Sequence, residues 1–241
     1  MMSVYNDILS AKAKKKKLLA ILIDPDNFNL NIISQFADKI NKSIITHVFV
    51  GGSTVEKEET EQLVKALKPL VNLPIVLFPG DVTQIAKNAD AILFLSLISG
   101  RNPKYLIEKQ IEAVSILKNT NLEVIPTGYI LIENGKETTV QKVTETQPIP
   151  VNMLQLVADT AKAGELLGKK LIYLEAGSGA LHPVPLKIIE AVKKDLGIPL
   201  IVGGGIRSKA QLDAAYYSGA DIVVIGTAFE NDINFFNELK L

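Results

Sequence analysis

Eight times along its 241 residues this chain passes from a short, uncharged, largely β-branched run into glycine or a small polar residue, and usually then into a longer stretch of helical period. Runs that are apolar throughout suit strands buried on both faces, and helices between them return the chain for parallel pairing. The spacing predicts strands at 18–24, 47–51, 75–78, 91–97, 123–131, 171–175, 200–203 and 221–225. Helices are predicted at 31–40, 56–67, 104–118, 152–167, 186–195 and 208–218, all with apolar residues three and four apart. Gly168 supplies a stop after the clearest of them, 152–167.

Eight βα units close most naturally into a (β/α)8 TIM barrel, an α/β fold of roughly 250 residues, so 1–241 is expected to form one barrel domain. Two places break the rhythm. Only 82–88 separates Gly80-Asp81 from the fourth strand, so the helical region of the third unit is expected to be reduced or irregular. Residues 133–150 are polar, carry two prolines and Asn134-Gly135, and read as a long loop or lid without helical period.

Lys+Arg and Asp+Glu both number 26, so no nucleic-acid partner is expected. The absence of cysteine removes thiolate chemistry and fits a reducing compartment, which makes the cytoplasm the expected location. The lysine-rich segment 12–17 precedes an apolar run that reaches Asp24 at once, too short for a secretory leader. The stretch 91–99 falls far short of the roughly 20 residues that span a bilayer.

In such a barrel the active site sits at the C-terminal strand ends, and there the apolar runs give way to reactive groups. The last three tips hold Tyr173-Leu-Glu-Ala-Gly-Ser-Gly179, Val202-Gly-Gly-Gly-Ile206 and Val224-Ile-Gly-Thr227. Glycines let the backbone approach an anion, and Gly204, Gly205, Gly226 and Thr227, extended by Gly177, Ser178 and Gly179, read as a phosphate cradle. At the first tip Asp24-Pro25-Asp26 offers carboxylates to Mg²⁺, which takes one or two of them with substrate oxygens and water. Asp24 with a hydroxyl such as Ser53 or Thr54 suffices, and Asp26 can equally cap a helix.

Glu175 is the ionisable residue in the sixth tip's glycine-rich setting, open both to a role as catalytic base and to one in positioning a hydroxyl. Tyr129 and Tyr173 offer hydroxyls to a polyol. His47, at the start of the second strand, reads as structural, His182 as a rim residue, and Arg207 as a phosphate contact or a helix start.

Leu22-Ile-Asp-Pro-Asp26, Val50-Gly-Gly-Ser-Thr54, Pro126-Thr-Gly-Tyr-Ile130, the Tyr173 to Gly179 segment, Val202-Gly-Gly-Gly-Ile-Arg207 and Ile225-Gly-Thr227 together resemble the geranylgeranylglyceryl phosphate synthase family, the PcrB-like prenyltransferases. The long segment after Tyr129 resembles the archaeal and Bacteroidetes-type subgroup. The resemblance implies Mg²⁺-dependent transfer of a geranylgeranyl group from its diphosphate, a prenyl diphosphate, to the 3-hydroxyl of sn-glycerol 1-phosphate.

By the same resemblance Asp24 and Ser53 hold the metal. Glycerol phosphate lies against Tyr173, Leu174, Glu175, Ala176, Gly177, Ser178, Gly179, Gly204, Gly205, Gly226 and Thr227, with Glu175 catalytic. Phe78, Leu97 and Ile98 are the expected walls of a prenyl channel, and dimers or hexamers and peripheral membrane contact through 14–17 are further expectations. No Asp-rich DDxxD motif occurs, which separates the chain from all-helical prenyl synthases. A phosphosugar isomerase or aldolase, or a non-catalytic phosphate sensor, remains the rival reading of the cradle alone.

Overall fold

In a computed structural model of the chain, residues 3–56, 58–227 and 229 are described; the remainder of the expected 1–241 domain lies outside them. Eight parallel strands form a closed barrel in sequence order. They are β1 (Leu18–Ile23), β2 (His47–Val50), β3 (Ile75–Leu77), β4 (Ala91–Leu97), β5 (Glu123–Leu131), β6 (Leu171–Glu175), β7 (Leu200–Gly203) and β8 (Ile222–Ile225). Closure runs through Leu18↔Ile222 to Ile21↔Ile225, which leaves the sheet without a free edge strand.

Strand parity divides the core into two layers. Ala20, Phe49, Val76, Leu93, Ile125, Tyr173, Ile201 and Val224 fill the barrel interior. Their neighbours Ile21, Val48, Ile92, Leu174, Val202 and Val223 face the helices. The interior is sealed from below by α1 (Val4–Ala13), whose buried Val4, Ile8 and Ala11 recur at helical spacing. Ser3 caps this helix at Asn6 N–H and donates to Glu123 at 2.8 Å, fixing the plug to β5.

The outer helices are α2 (Ile33–Asn41), α3 (Glu59–Leu67), α4 (Lys109–Leu117), α5 (Thr139–Thr144), α6 (Leu154–Leu166), α7 (Leu186–Asp195) and α8 (Lys209–Tyr217). The predicted 104–118 helix enters as a π-helical turn, Lys104–Glu108, before α4. The third unit is reduced as expected, to the 3-10 turn Val82–Gln84. Because β3 is short, β4 pairs with it only at Val76↔Ala91 and Leu77↔Ile92, whereas it pairs with β5 along its whole length. From Leu93 onward the wall between β3 and β4 is open, and Lys109 spans it to Asp81 at 2.9 Å.

Residues 133–150 depart from the irregular loop expected of them. Thr138 caps α5 at Gln141 N–H, and Glu133 and Ile149 N–H groups bond to the Ile149 and Leu131 carbonyls, closing the loop at its base. A six-residue helix is too short to leave a legible period.

The lysine run lies at the barrel's N-terminal end. Lys17 reaches the Ala220 carbonyl at 2.6 Å and Lys12 that of Gly197, while Lys14, Lys15 and Lys16 are exposed. No helix among the described residues is long and apolar enough to cross a membrane.

His47 is buried in the same lower region, its Nδ1 2.8 Å from the Thr46 hydroxyl and its Nε2 without a partner among the described residues. Burial pushes its imidazole down to about 4. The unfolded chain therefore takes up a proton near pH 6.5 that the native chain refuses until about pH 4. Stability is full above the higher value and falls as pH drops across this window, by about 3 kcal/mol in total. Urea melts from pH 7 to 4 are expected to show this loss in the wild type and a flatter acid limb in His47→Gln; equal slopes would assign the loss elsewhere.

Candidate active site

The strand tips ring a cavity of about 360 Å³ at the C-terminal end of the barrel. Asp24, Ser53, Tyr173, Glu175, Gly177, Ser178, Gly179, Gly204, Gly205, Gly226 and Thr227 line it together. Leu174 and Ala176 do not. The β-pleat turns both side chains into the helix-facing layer. The Ala176 N–H is committed to Gly203 and its carbonyl accepts from Asn134, so its backbone is not free for a ligand either.

Glu175 ends β6 on the interior side and is 5% exposed. Its Oε1 accepts the Gly177 N–H at 2.6 Å. Burial raises its carboxyl to about 7, opposed by the Gly177 N–H and by the nearby Tyr173 hydroxyl. That hydroxyl is itself fully buried and has no hydrogen-bond partner of good geometry among the described residues, although it lines the cavity. A buried orphan of this kind is satisfied by a polar ligand.

Tyr173 belongs to an aromatic cluster at the cavity floor. Its ring stacks on Phe78 at 5.1 Å between centroids and meets Tyr129 edge-on at 5.4 Å. Such faces attract positive charge that develops against them.

Opposite Glu175, Asp24 accepts from Asp26 N–H at 3.1 Å and from the Asn27 amide at 3.0 Å. Gly52 lies so near that a Cβ there would stand 3.2 Å from its carboxylate. Partial burial raises the Asp24 pKa, and no cation among the described residues pairs with it. A desolvated carboxylate in a cavity that Ser53 also lines fits the donor set of Mg²⁺, which completes its shell with ligand oxygens. No group of three or more His, Cys, Asp or Glu that could hold a metal forms among the described residues, so a protein-only cage is absent there. Asp26 serves the scaffold instead: it accepts the Glu56 N–H at 3.0 Å and ties down the loop after β2.

The cradle rests on Gly204 at φ +85° and Gly205 at φ +73°. A Cβ on Gly204 would overlap the Glu175 carboxylate, so glycine is required there both by conformation and by the proximity of that side chain. Arg207 donates to the Ala180 and Leu181 carbonyls, at 2.5 and 3.3 Å, holding the β6 loop while lining the cavity. His182 is an exposed rim residue, and no lysine lines the cavity among the described residues, as a Schiff-base aldolase would need.

An apolar groove of about 100 Å³ leaves this mouth through the open wall between β3 and β4. Leu97 lines it as expected, and Phe78 guards the mouth; Ile98 points the other way, toward Gly128 and Gly164, because it sits one residue out of phase. Phe94, Leu95, Ala113 and the α5 residues Val140 and Val143 complete the walls. None of these five stood out in the sequence; the shortened third unit was the available sign. Gln84 was missed too: its buried amide bonds both Gly52 and Gly80, locking the tips of β2 and β3 together.

Residues 11–240 match the PcrB family. The chain belongs to the PcrB family. Among its relatives, geranylgeranylglyceryl phosphate synthase of Flavobacterium johnsoniae is 56% identical, with 98% of this chain and 97% of that protein covered. The synthase of the same name from Pyrococcus furiosus is 44% identical over 91% of this chain and 87% of its own. The structure is also similar to the crystal structure of (S)-3-O-geranylgeranylglyceryl phosphate synthase from Thermoplasma acidophilum in complex with its substrate sn-glycerol-1-phosphate. The two share 31% identity at a TM-score of 0.92, over 99% of this chain and 96% of that one.

Gly204→Ala is expected to lower stability by about 1–3 kcal/mol, from backbone strain and displacement of Glu175. Urea unfolding measures it, and a change below about 0.5 kcal/mol would show that the tips relax around the added methyl.

Proposed function

We propose that the chain transfers a geranylgeranyl group from geranylgeranyl diphosphate to the 3-hydroxyl of sn-glycerol 1-phosphate, a reading supported by relatives named geranylgeranylglyceryl phosphate synthase, one of them bound to its substrate sn-glycerol-1-phosphate. One observation carries the reading: the buried Glu175 lies between a glycine cradle and an aromatic floor, in a mouth that continues into an apolar groove.

The cradle's N–H groups at Ser178, Gly179, Gly204, Gly205, Gly226 and Thr227 bind the phosphate, while the Gly177 N–H holds Glu175, leaving the glycerol hydroxyls beside Glu175 and Tyr173. Asp24 and Ser53 would hold Mg²⁺, which when bound neutralises the diphosphate leaving group. Along the groove, Phe94, Leu95 and Leu97 take the prenyl tail and exclude water.

The allylic C1–O bond breaks with its electron pair leaving on the diphosphate, while the glycerol 3-oxygen bonds to C1. Glu175 takes the hydroxyl proton, and the rings of Phe78, Tyr129 and Tyr173 stabilise the positive charge that develops at C1. The products are geranylgeranylglyceryl phosphate and diphosphate.

The exposed Ile107, Ile111 and Val114 on one flank, and Met153, Leu156 and Leu167 on another, support assembly into dimers or hexamers. We place the enzyme in the cytoplasm, with peripheral membrane contact at the groove's side of the molecule. The exposed Lys14 to Lys16 lie at the opposite end from the mouth, which argues against the lysine run as the contact.

Incubation with Mg²⁺, labelled sn-glycerol 1-phosphate and prenyl diphosphates of several lengths is expected to give organic-soluble label; none at any length would overturn the assignment. Glu175→Gln is expected to cut kcat by about 10²–10⁴ with glycerol phosphate still bound. In the wild type kcat/KM should fall as pH drops through about 7, where the base becomes protonated. Ala113→Phe, which fills the groove, should raise KM for the C20 donor while a C10 donor is still accepted. Equal KM shifts for both donors would place the tail elsewhere.

A further inference from the structure

The loop between β5 and α6 is pinned to the phosphate cradle on both sides of Lys136. Upstream, buried Asn134 donates its amide to the Ala176 carbonyl at 2.5 Å. Downstream, buried Thr138 packs against Gly177 so closely that no Cβ could be added there. Between the pins, Gly135 at φ +93° turns the chain, with Leu181 and His182 of the facing loop 3.6 and 3.7 Å from where its Cβ would be. The free span is thus three residues, Gly135, Lys136 and Glu137.

Lys136 is exposed and ends beside Gly179 at the cradle's edge, outside the residues that line the cavity. Its Nζ lies 3.3 Å from the position a Gly179 side chain would occupy. Among the described residues this ammonium has no hydrogen bond or ion pair, whereas Glu137 beside it is matched with Lys142 at 3.3 Å. The cradle's own donors are neutral N–H groups, and Arg207, a cation that lines the cavity, spends donors on the Ala180 and Leu181 carbonyls. A phosphate monoester seated there keeps most of its charge uncompensated, and Lys136 beside Gly179 places a cation at the cradle's edge. A lysine ammonium suits that place as a compact, mobile point charge.

We propose that Lys136 binds substrate: its ammonium closes the edge of the cradle over the phosphate of glycerol phosphate. The assignment rests on the acceptor reading of the cradle made above, and extends it to a residue outside the glycine motifs. Anchoring by Asn134 and Thr138 removes part of the ordering cost, because the backbone that carries Lys136 is already in place before the ligand arrives.

The test uses the full chain as wild type, Lys136→Met and Lys136→Arg, with matched thermal melts as the folding control. Calorimetric titration with sn-glycerol 1-phosphate alone is expected to show affinity weakened about tenfold in Lys136→Met and within about threefold of wild type in Lys136→Arg, since a charge-assisted bond is lost in one and kept in the other. Raising ionic strength should weaken wild-type binding more than Lys136→Met binding. In turnover, KM for the acceptor should rise by a similar factor while kcat and the donor KM stay within about twofold.

Unchanged acceptor affinity in Lys136→Met overturns the proposal, as does a shift confined to the donor KM, which would give the ammonium to the diphosphate instead. Lys136-dependent binding without transfer by the wild type would sink the prenyltransferase reading and leave this one standing. Transfer that is indifferent to Lys136 would do the reverse, and a wild type that does not bind glycerol phosphate overturns both.

Discussion

Pairing of β8 with β1 closes the sheet, and the rest of the molecule depends on that closure. Parallel strands in a closed ring all point one way, so eight C-terminal tips meet around one opening. Residues as distant in sequence as Asp24 and Thr227 become walls of one cavity. The opposite end is left to packing, where α1 plugs the interior and His47 is buried without a charge to offer.

The barrel keeps one interruption between β3 and β4, and an apolar groove lies along it. A three-residue β3 and a single 3-10 turn in place of a helix leave β4 unpaired on one side above Ile92. Open strand edges are a hazard in most folds, and this one is partly covered: Gln110 bonds the Leu95 carbonyl, and Lys109 bridges to Asp81. What stays uncovered is apolar, and it joins the polar mouth beside Tyr129 and Val140. The mouth itself is electrostatically unsettled, with carboxylates at Glu175 and Asp24 both raised by burial and a buried Tyr173 hydroxyl that has no partner among the described residues. Groups left short of partners in the free protein are those a phosphate ester, a hydroxyl and a metal can complete.

Much of this was legible because it is local. Strand positions follow from runs such as 91–97 and 171–175, which agree with β4 and β6 residue for residue. Tip chemistry follows from glycines whose positive φ is a property of their own backbone, as at Gly204 and Gly205. Where the reading failed, the deciding quantity was not local. Leu174 and Ala176 sit within a motif that otherwise lines the cavity, yet pleat parity sends them outward. Ile98 fails as a groove wall for the same reason, one step from Leu97. The helix α5 is too short to carry a period, and the groove residues it contributes were invisible with it.

The sequence by itself determined the order of the βα units, the shortened third unit and the residues at each strand tip, because hydrophobic period and glycine chemistry act over a few residues. It also carried enough of the family's motifs for the activity to be expected. Only the tertiary structure decided which side of each strand meets the cavity, that the gap beside β4 becomes a groove, and that Lys136 ends beside Gly179. These outcomes depend on barrel closure and on contacts between segments 40 or more residues apart, such as Asn134 with Ala176, for which no local pattern is written in the chain.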